Sequence, residues 1–260
     1  MNIYIMTDAE GISGIFTNEQ VMHTGARYNE CRMYMTDDIN ACVEAAKDAG
    51  AGKIYVRDAH SGGNNIIWDR LSPKADYYIS GNYRGNRMPG LDECDALILL
   101  GYHAMAGTPG AVLEHTMSSA TIQNYWLNGN RAGEIAVDAA IAGDFGKPVI
   151  MVSGDDKACK EAKSLLPWVV TAEVKQSLGC FYTMLLPREK AHALLGEKIR
   201  EAMKNFAGTR PYVLSKPVKL RIEKCERSEL PYSCKPYLKI IDGRTYEVEG
   251  STTEEALFRS

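Results

Sequence analysis

No Cys-x-x-Cys pair occurs in this sequence, and its seven cysteines are scattered and odd in number. That usage argues against a disulfide framework and against a cysteine zinc finger. It fits a reducing compartment in which most thiols are small core residues. Long apolar runs are also missing. The longest are about strand length, too short to span a bilayer, so no membrane partner is expected. No basic segment followed by an apolar one opens the chain, which begins at once on a strand-like run. A cytoplasmic location is the expectation that follows. There is no block of Lys and Arg, and the formal net charge is −3, so no nucleic-acid partner is expected. The spacing of a dinucleotide fingerprint, a P-loop and a Gly-x-Ser-x-Gly elbow is absent as well.

What is present is the composition of an ordinary globular protein, 45% hydrophobic and 24% charged over 260 residues, with room for one large or two modest domains. The first half alternates strand and helix. Ile3–Met6 reads as a strand, Tyr28–Ala49 as a helix stopped by Gly50 and Gly52, and Lys53–Arg57 as a second strand. This is a βαβ unit, which predicts parallel strands. Further strands are predicted near Tyr77–Ser80, at 96–101 and over Pro148–Val152. Thr121–Leu127 reads as extended, ahead of a hairpin turn at Asn128-Gly129-Asn130. Arg188–Phe206 has the spacing of an amphipathic helix, and the pattern then turns to β. The fold expected is α/β, a mainly parallel sheet flanked by helices, with residues 1–165 as the larger domain and 166–260 as a smaller α+β domain.

The chemistry-bearing residues gather at predicted strand ends. The first strand leads into Asp8-Ala9-Glu10, the second into Asp58-Ala59-His60, and the run 96–100 into Gly101-Tyr102-His103. In an open α/β sheet, ligands bind beyond the carboxyl ends of the strands, and one sheet brings these segments together. Two carboxylates so close repel each other unless a cation lies between them. Carboxylate and imidazole together form a donor set for a divalent metal, zinc above all. His115 follows a Gly/Pro turn and reads either as a further ligand or as a free base. Glu134 opens a helix, where an acidic residue suits the dipole, and on local grounds reads as a cap. Asp155 and Asp156 read as helix N-caps and His192 as a surface residue. Asp58 is left as a support for His60.

These motifs, taken in order, resemble a known family. Asp8-Ala9-Glu10-Gly11-Ile12-Ser13-Gly14, Asp58-Ala59-His60-Ser61, Gly101-Tyr102-His103-Ala104-Met105-Ala106-Gly107-Thr108-Pro109-Gly110 and His115-Thr116-Met117 are similar to the bacterial zinc-dependent D-aminopeptidases, self-compartmentalising metallopeptidases. The likeness continues through Gly133-Glu134 and Val152-Ser153-Gly154-Asp155-Asp156 to Ala172-Glu173-Val174-Lys175. It implies two zinc ions per subunit, held by Asp8 as a bridge and by Glu10, His60, His103 and Glu134. It thereby turns Glu134 from cap to ligand. It implies His115 as the catalytic residue, base or nucleophile, with the base preferred. It also implies a homodecamer acting on short peptides of the D-alanine type from the N-terminus. Two other readings stay open: a metal-dependent hydrolase of another amide, and a non-catalytic dipeptide-binding component.

Overall fold

The computed structural model describes residues 1–81, 85–227, 230–231 and 234–260. In chain order the elements begin with β1 (Ile3–Thr7), α1 (Asn18–Val21), α2 (Tyr28–Asp48), β2 (Ile54–Asp58), β3 (Tyr77–Ile79) and β4 (Ala96–Tyr102). Then come β5 (Ile122–Leu127), β6 (Asn130–Ala132), α3 (Glu134–Asp144), β7 (Val149–Asp155) and α4 (Asp156–Leu165). The last are β8 (Val170–Gly179), β9 (Tyr182–Leu185), α5 (Arg188–Lys204), β10 (Val218–Lys224), β11 (Leu238–Ile240), β12 (Thr245–Gly250) and α6 (Thr253–Arg259).

Among the described residues the strands form two sheets. A seven-stranded sheet has the order β3-β2-β1-β4-β7-β8-β9, and only the β8–β9 pair is antiparallel. A five-stranded antiparallel sheet has the order β11-β12-β10-β5-β6. The βαβ expectation holds: β1 pairs parallel with β2, Ile3 opposite Ile54.

The central strands are apolar on both faces because both faces are covered, which is why they read as continuous runs. In β1, Ile3 and Ile5 pack with Met35, Ile39 and Cys42 of α2 and with Leu195 and Ile199 of α5. Tyr4 and Met6 face the opposite way, into a core shared with α3 and with Leu127, Leu220 and Val248 of the second sheet. The result is three layers: helices α2 and α5, the large sheet, then α3, α4 and the small sheet.

The division expected at residue 165 does not fall where the sheets divide. β8 and β9 extend the large sheet, because β8 finds the free edge of β7. β5 and β6 come from the middle of the first half, yet build the edge of the small sheet by pairing β5 with β10. The chain between β4 and α3 therefore leaves the large sheet, visits the small one and returns. That excursion carries His115 and delivers Glu134.

β1 lies between β2 and β4, and the chain runs outward from it in both directions. This is a topological switch point, where the carboxyl ends of β1, β2 and β4 open a crevice. The crevice is held shut at its base by backbone. Gly11 donates its N–H to the Gly101 carbonyl at 2.7 Å, and Asp8 donates to the Leu100 carbonyl at 2.9 Å. Gly101 has φ +74, and a Cβ there would lie 2.6 Å from the Asp8 carbonyl oxygen. Gly146 shares the positive φ, +72, but has nothing within 4 Å of such a Cβ. Gly146→Ala should cost only the left-handed backbone strain, about 1–2 kcal/mol. Gly101→Ala should cost that and more, because the ends of β1 and β4 must part. Urea unfolding of the two variants checks this; equal losses would contradict the close approach.

Candidate metal centre

Five side chains from four segments meet in the crevice. Asp8 and Glu10 follow β1, His60 lies two residues past β2, His103 one residue past β4, and Glu134 is the first residue of α3. The His60 Nδ1 atom lies 3.1 Å from Asp8 Oδ1 and 3.2 Å from Glu10 Oε2. His103 Nε2 lies 3.4 Å from Asp8 Oδ2 and 3.2 Å from Glu134 Oε1. Asp8 thus offers one oxygen to each of two groups, one with His60 and Glu10, the other with His103 and Glu134. His115 joins the second group, its Nε2 3.6 Å from Glu134 Oε1 and its ring stacked on His103 with centroids 3.9 Å apart. Ligand atoms of His103, His115 and Glu134 lie within 4.8 Å of one another, and so do those of Asp8, Glu10 and His103.

The histidines are oriented by the nitrogens that face away. The far nitrogen of each sits against a backbone carbonyl: His60 Nε2 against Val21 at 2.9 Å, His103 Nδ1 against Ala104 at 3.0 Å, His115 Nδ1 against Leu113 at 2.9 Å. A carbonyl only accepts, so each far nitrogen carries a hydrogen, and the near one is the nitrogen left to hold a proton or a metal beside the carboxylates. That is the arrangement a metal-binding imidazole needs. Asp8 Oδ2, Glu10 Oε2 and His103 Nε2 are buried without a hydrogen-bond partner. Buried polar atoms are rarely left so, and three of them in one cluster fit a bound cation. The residues therefore fit a divalent metal of the zinc type.

Titration of the cluster follows from the same packing. Burial pushes Asp8 up, and the Glu10 charge adds to it. Burial alone would raise Glu10, but the imidazoles, His60 first, hold it well below the ordinary value. Burial would raise Glu134 too, yet His103, His115 and Arg87 bring it down to about 2. Burial would lower His60 and His103; the carboxylates around them outweigh it, Glu10 and Asp8 for His60, Glu134 and Asp8 for His103, and hold both well above the usual imidazole range. Protons thus serve as the counter-cations when no metal does.

The surroundings lock this geometry. Asp58 does not touch the His60 ring. Its carboxylate accepts from the N–H groups of Asn65 and Ile66 and from the Asn65 amide, which also donates to the His60 carbonyl, so it pins the loop carrying His60. Asp155 caps α4 through Ala158, as expected, and also accepts from Val112 at 3.1 Å, anchoring the segment that leads to His115. Leu113 (φ 51) and Met117 (φ 62) flank His115 in left-handed conformations, and Ser61 (φ 50) follows His60. Side chains adopt that region at a cost that is commonly met at functional sites.

Sequence patterns missed three participants. Lys175 is fully buried and donates to the carbonyls of Glu10, Ile12 and Ile15 at 2.6–2.8 Å, tying β8 to the turn that carries Glu10. Burial lowers its pKa to about 8. Arg87 pairs with the buried Asp138 and lines the cleft over the centre, as does His23. A lone basic residue on a strand or in a loop carries no signal of such a role. His192 is half-buried, not a free surface group, with Nε2 3.1 Å from Asp38. Asp38 in turn accepts from Ser13.

Comparison with known proteins shows the family of the chain. The model of peptidase family M55, described as D-aminopeptidase, matches residues 1–259. This chain belongs to that family. A D-aminopeptidase of Bacillus subtilis (strain 168) is 38% identical over 214 residues, 81% of this chain and 77% of that protein. Among solved structures, the Zn-dependent D-aminopeptidase DppA from Bacillus subtilis, a self-compartmentalizing protease, superposes with a TM-score of 0.94 at 33% identity. The match covers 100% of this chain and 94% of that one.

The pKa directions predict how metal and pH act together. Glu134, lowered from 4.5, stabilises the metal-free fold above that value and loses the contribution as pH falls toward about 2. His60 and His103, raised from 6.5, stabilise it below that value and lose the contribution as pH rises. Asp8, also raised, works in the same direction as the histidines. A chelator-treated sample should melt lower at pH 8.5 than at pH 6. The gain in melting temperature on adding zinc chloride should be larger at pH 8.5, because protons compete less for the same atoms as pH rises. A zinc gain independent of pH would contradict the proton-filled cluster.

Proposed function

We propose that this protein is a zinc-dependent aminopeptidase that releases the N-terminal residue of short peptides containing D-amino acids, D-alanine types foremost. The observation that carries the proposal is the pair of carboxylate–imidazole groups joined through one carboxylate, Asp8. Two zinc ions per subunit would be held there, Asp8 bridging, with Glu10 and His60 on one side and His103 and Glu134 on the other. Zinc in such a centre lowers the pKa of water and polarises a carbonyl oxygen, which is what amide hydrolysis at neutral pH lacks.

The chain's own residues supply the rest. His115 borders a cleft of about 500 Å³ together with Glu134, Ser118 and Phe181, whereas His103 lies beneath it, shut off from solvent. A cleft of that size suits a small ligand such as a short peptide. With its Nδ1 hydrogen given to Leu113, His115 keeps Nε2 free to take the proton of the attacking water and pass it to the departing amine. This position on the cleft wall supports the base role over that of a sixth ligand, although the atoms lie within ligand reach. His115→Ala should keep two zinc ions and lose roughly 10²–10⁴ in kcat. Loss of a zinc ion in that variant would make His115 a ligand.

The family membership and the relative's title as a self-compartmentalizing protease support a homo-oligomer. We read it as a decamer enclosing the active sites, so that only short peptides reach them. The seven free cysteines are consistent with a cytoplasmic location, and no helix among the described residues is long and apolar enough to cross a membrane. Purified protein should sediment at about ten times the 28.7 kDa chain mass; a 28.7 kDa species alone at micromolar concentration would refute any assembly. Zinc-loaded protein should cleave D-Ala-D-Ala faster than L-Ala-L-Ala, and no cleavage of either would favour another amide as substrate.

A further inference from the structure

The Ala104–Met105 peptide group lies between a ligand-type histidine and a carboxylate that no reading so far has used. Its carbonyl accepts from His103 Nδ1 at 3.0 Å. Its N–H, on Met105, donates to Glu161 Oε2 at 2.8 Å. Glu161 sits in the middle of α4, remote in sequence from every residue of the centre. Its other oxygen, Oε1, is buried without a hydrogen-bond partner. That oxygen occupies space which a side chain at Gly133 would fill, since a Cβ there would come within 2.7 Å of it and equally close to the Met105 Cβ. Gly133 is the N-cap of α3 and directly precedes Glu134. One carboxylate thus hydrogen-bonds the peptide behind His103 and lies beside the residue before Glu134.

We propose that Glu161 is a positioning residue for the metal ligand His103, acting through the 104–105 peptide. A peptide group is polarisable end to end. A carboxylate on its N–H side makes the carbonyl a stronger acceptor, as hydrogen bonds in series reinforce one another. The stronger carbonyl fixes the His103 tautomer and raises the basicity of Nε2, the role usually filled by a carboxylate in direct contact with the ring. Here no carboxylate takes that place, because His103 Nδ1 is already given to the Ala104 carbonyl. The inference rests on the metal reading above and adds a residue to it.

The test compares Glu161→Gln and Glu161→Ala with the parent. Gln keeps the shape and one acceptor oxygen but drops the charge. Zinc-loaded protein is titrated with a chromogenic chelator at pH 8, above the value of about 7 to which burial pushes the Glu161 carboxyl. Removing partners of this kind costs about 10–100-fold in metal affinity when they touch the ligand. With a peptide between, Glu161→Gln should weaken one of the two zinc ions by about tenfold, the low end of that range. It should leave the other zinc ion and the zinc-free melting temperature unchanged. Glu161→Ala should weaken the same ion further. The Nδ1 proton of His103, seen in histidine-labelled protein by NMR, should move upfield in Glu161→Gln as its hydrogen bond weakens. Parent-like affinity for both ions in Glu161→Gln overturns the proposal, as does a lower zinc-free melting temperature with affinity intact. A parent protein that binds no zinc overturns the metal reading itself, a result distinct from either.

Discussion

Three buried carboxylates converge on a few ångströms of low-dielectric space, and nearly everything around them answers to that repulsion. Asp8, Glu10 and Glu134 are all buried. Like charges so placed cannot all ionise without cations between them. The fold supplies imidazoles with one ring nitrogen turned inward, and leaves Asp8 Oδ2 and Glu10 Oε2 without a hydrogen-bond partner. A protein interior tolerates this only if a cation, proton or metal, completes it. The strained loop residues beside His60 and His115, and the buried Lys175 under the Glu10 turn, are the supports that hold these side chains against their own repulsion.

The switch point in the large sheet makes this convergence possible. β1 contributes two carboxylates because both neighbours diverge from it, leaving room above its end. A purely sequential strand order would bury that end beneath a crossover. The segment that leads into the small antiparallel sheet lines the crevice with Leu113, His115, Met117 and Ser118. Its β5–β6 hairpin returns the chain so that α3 starts against His103, and the chain that forms it also carries His115 over the top. The two sheets are thus not separate units with a site between them; the second is threaded through the first.

Much of this was legible beforehand, for a physical reason. The β1, β2 and β4 runs are apolar on both faces, so each strand end is marked sharply where Asp8, Asp58 and Gly101-Tyr102-His103 begin. Reading the ends as one edge needed only the right-handed crossover rule. Glu134 was not legible locally, because an acidic residue at a helix start serves the dipole equally well, and only the family pattern distinguished the two. Lys175, Arg87 and Glu161 stayed hidden, since their roles come from chain segments 50–165 residues away that approach only in three dimensions. The excursion between β4 and α3 stayed hidden for the same reason: β5 alternates like any strand, and nothing in it says which sheet it joins.

The central claim is that Asp8 sits between two zinc ions in the crevice. Diffraction from zinc-loaded crystals on either side of the zinc absorption edge addresses it directly. The account predicts two anomalous peaks per subunit about 3.5–4 Å apart, as in two-metal hydrolases, with one Asp8 oxygen on each, His60 on one and His103 on the other. A single peak, or peaks that leave Asp8 untouched, would contradict it.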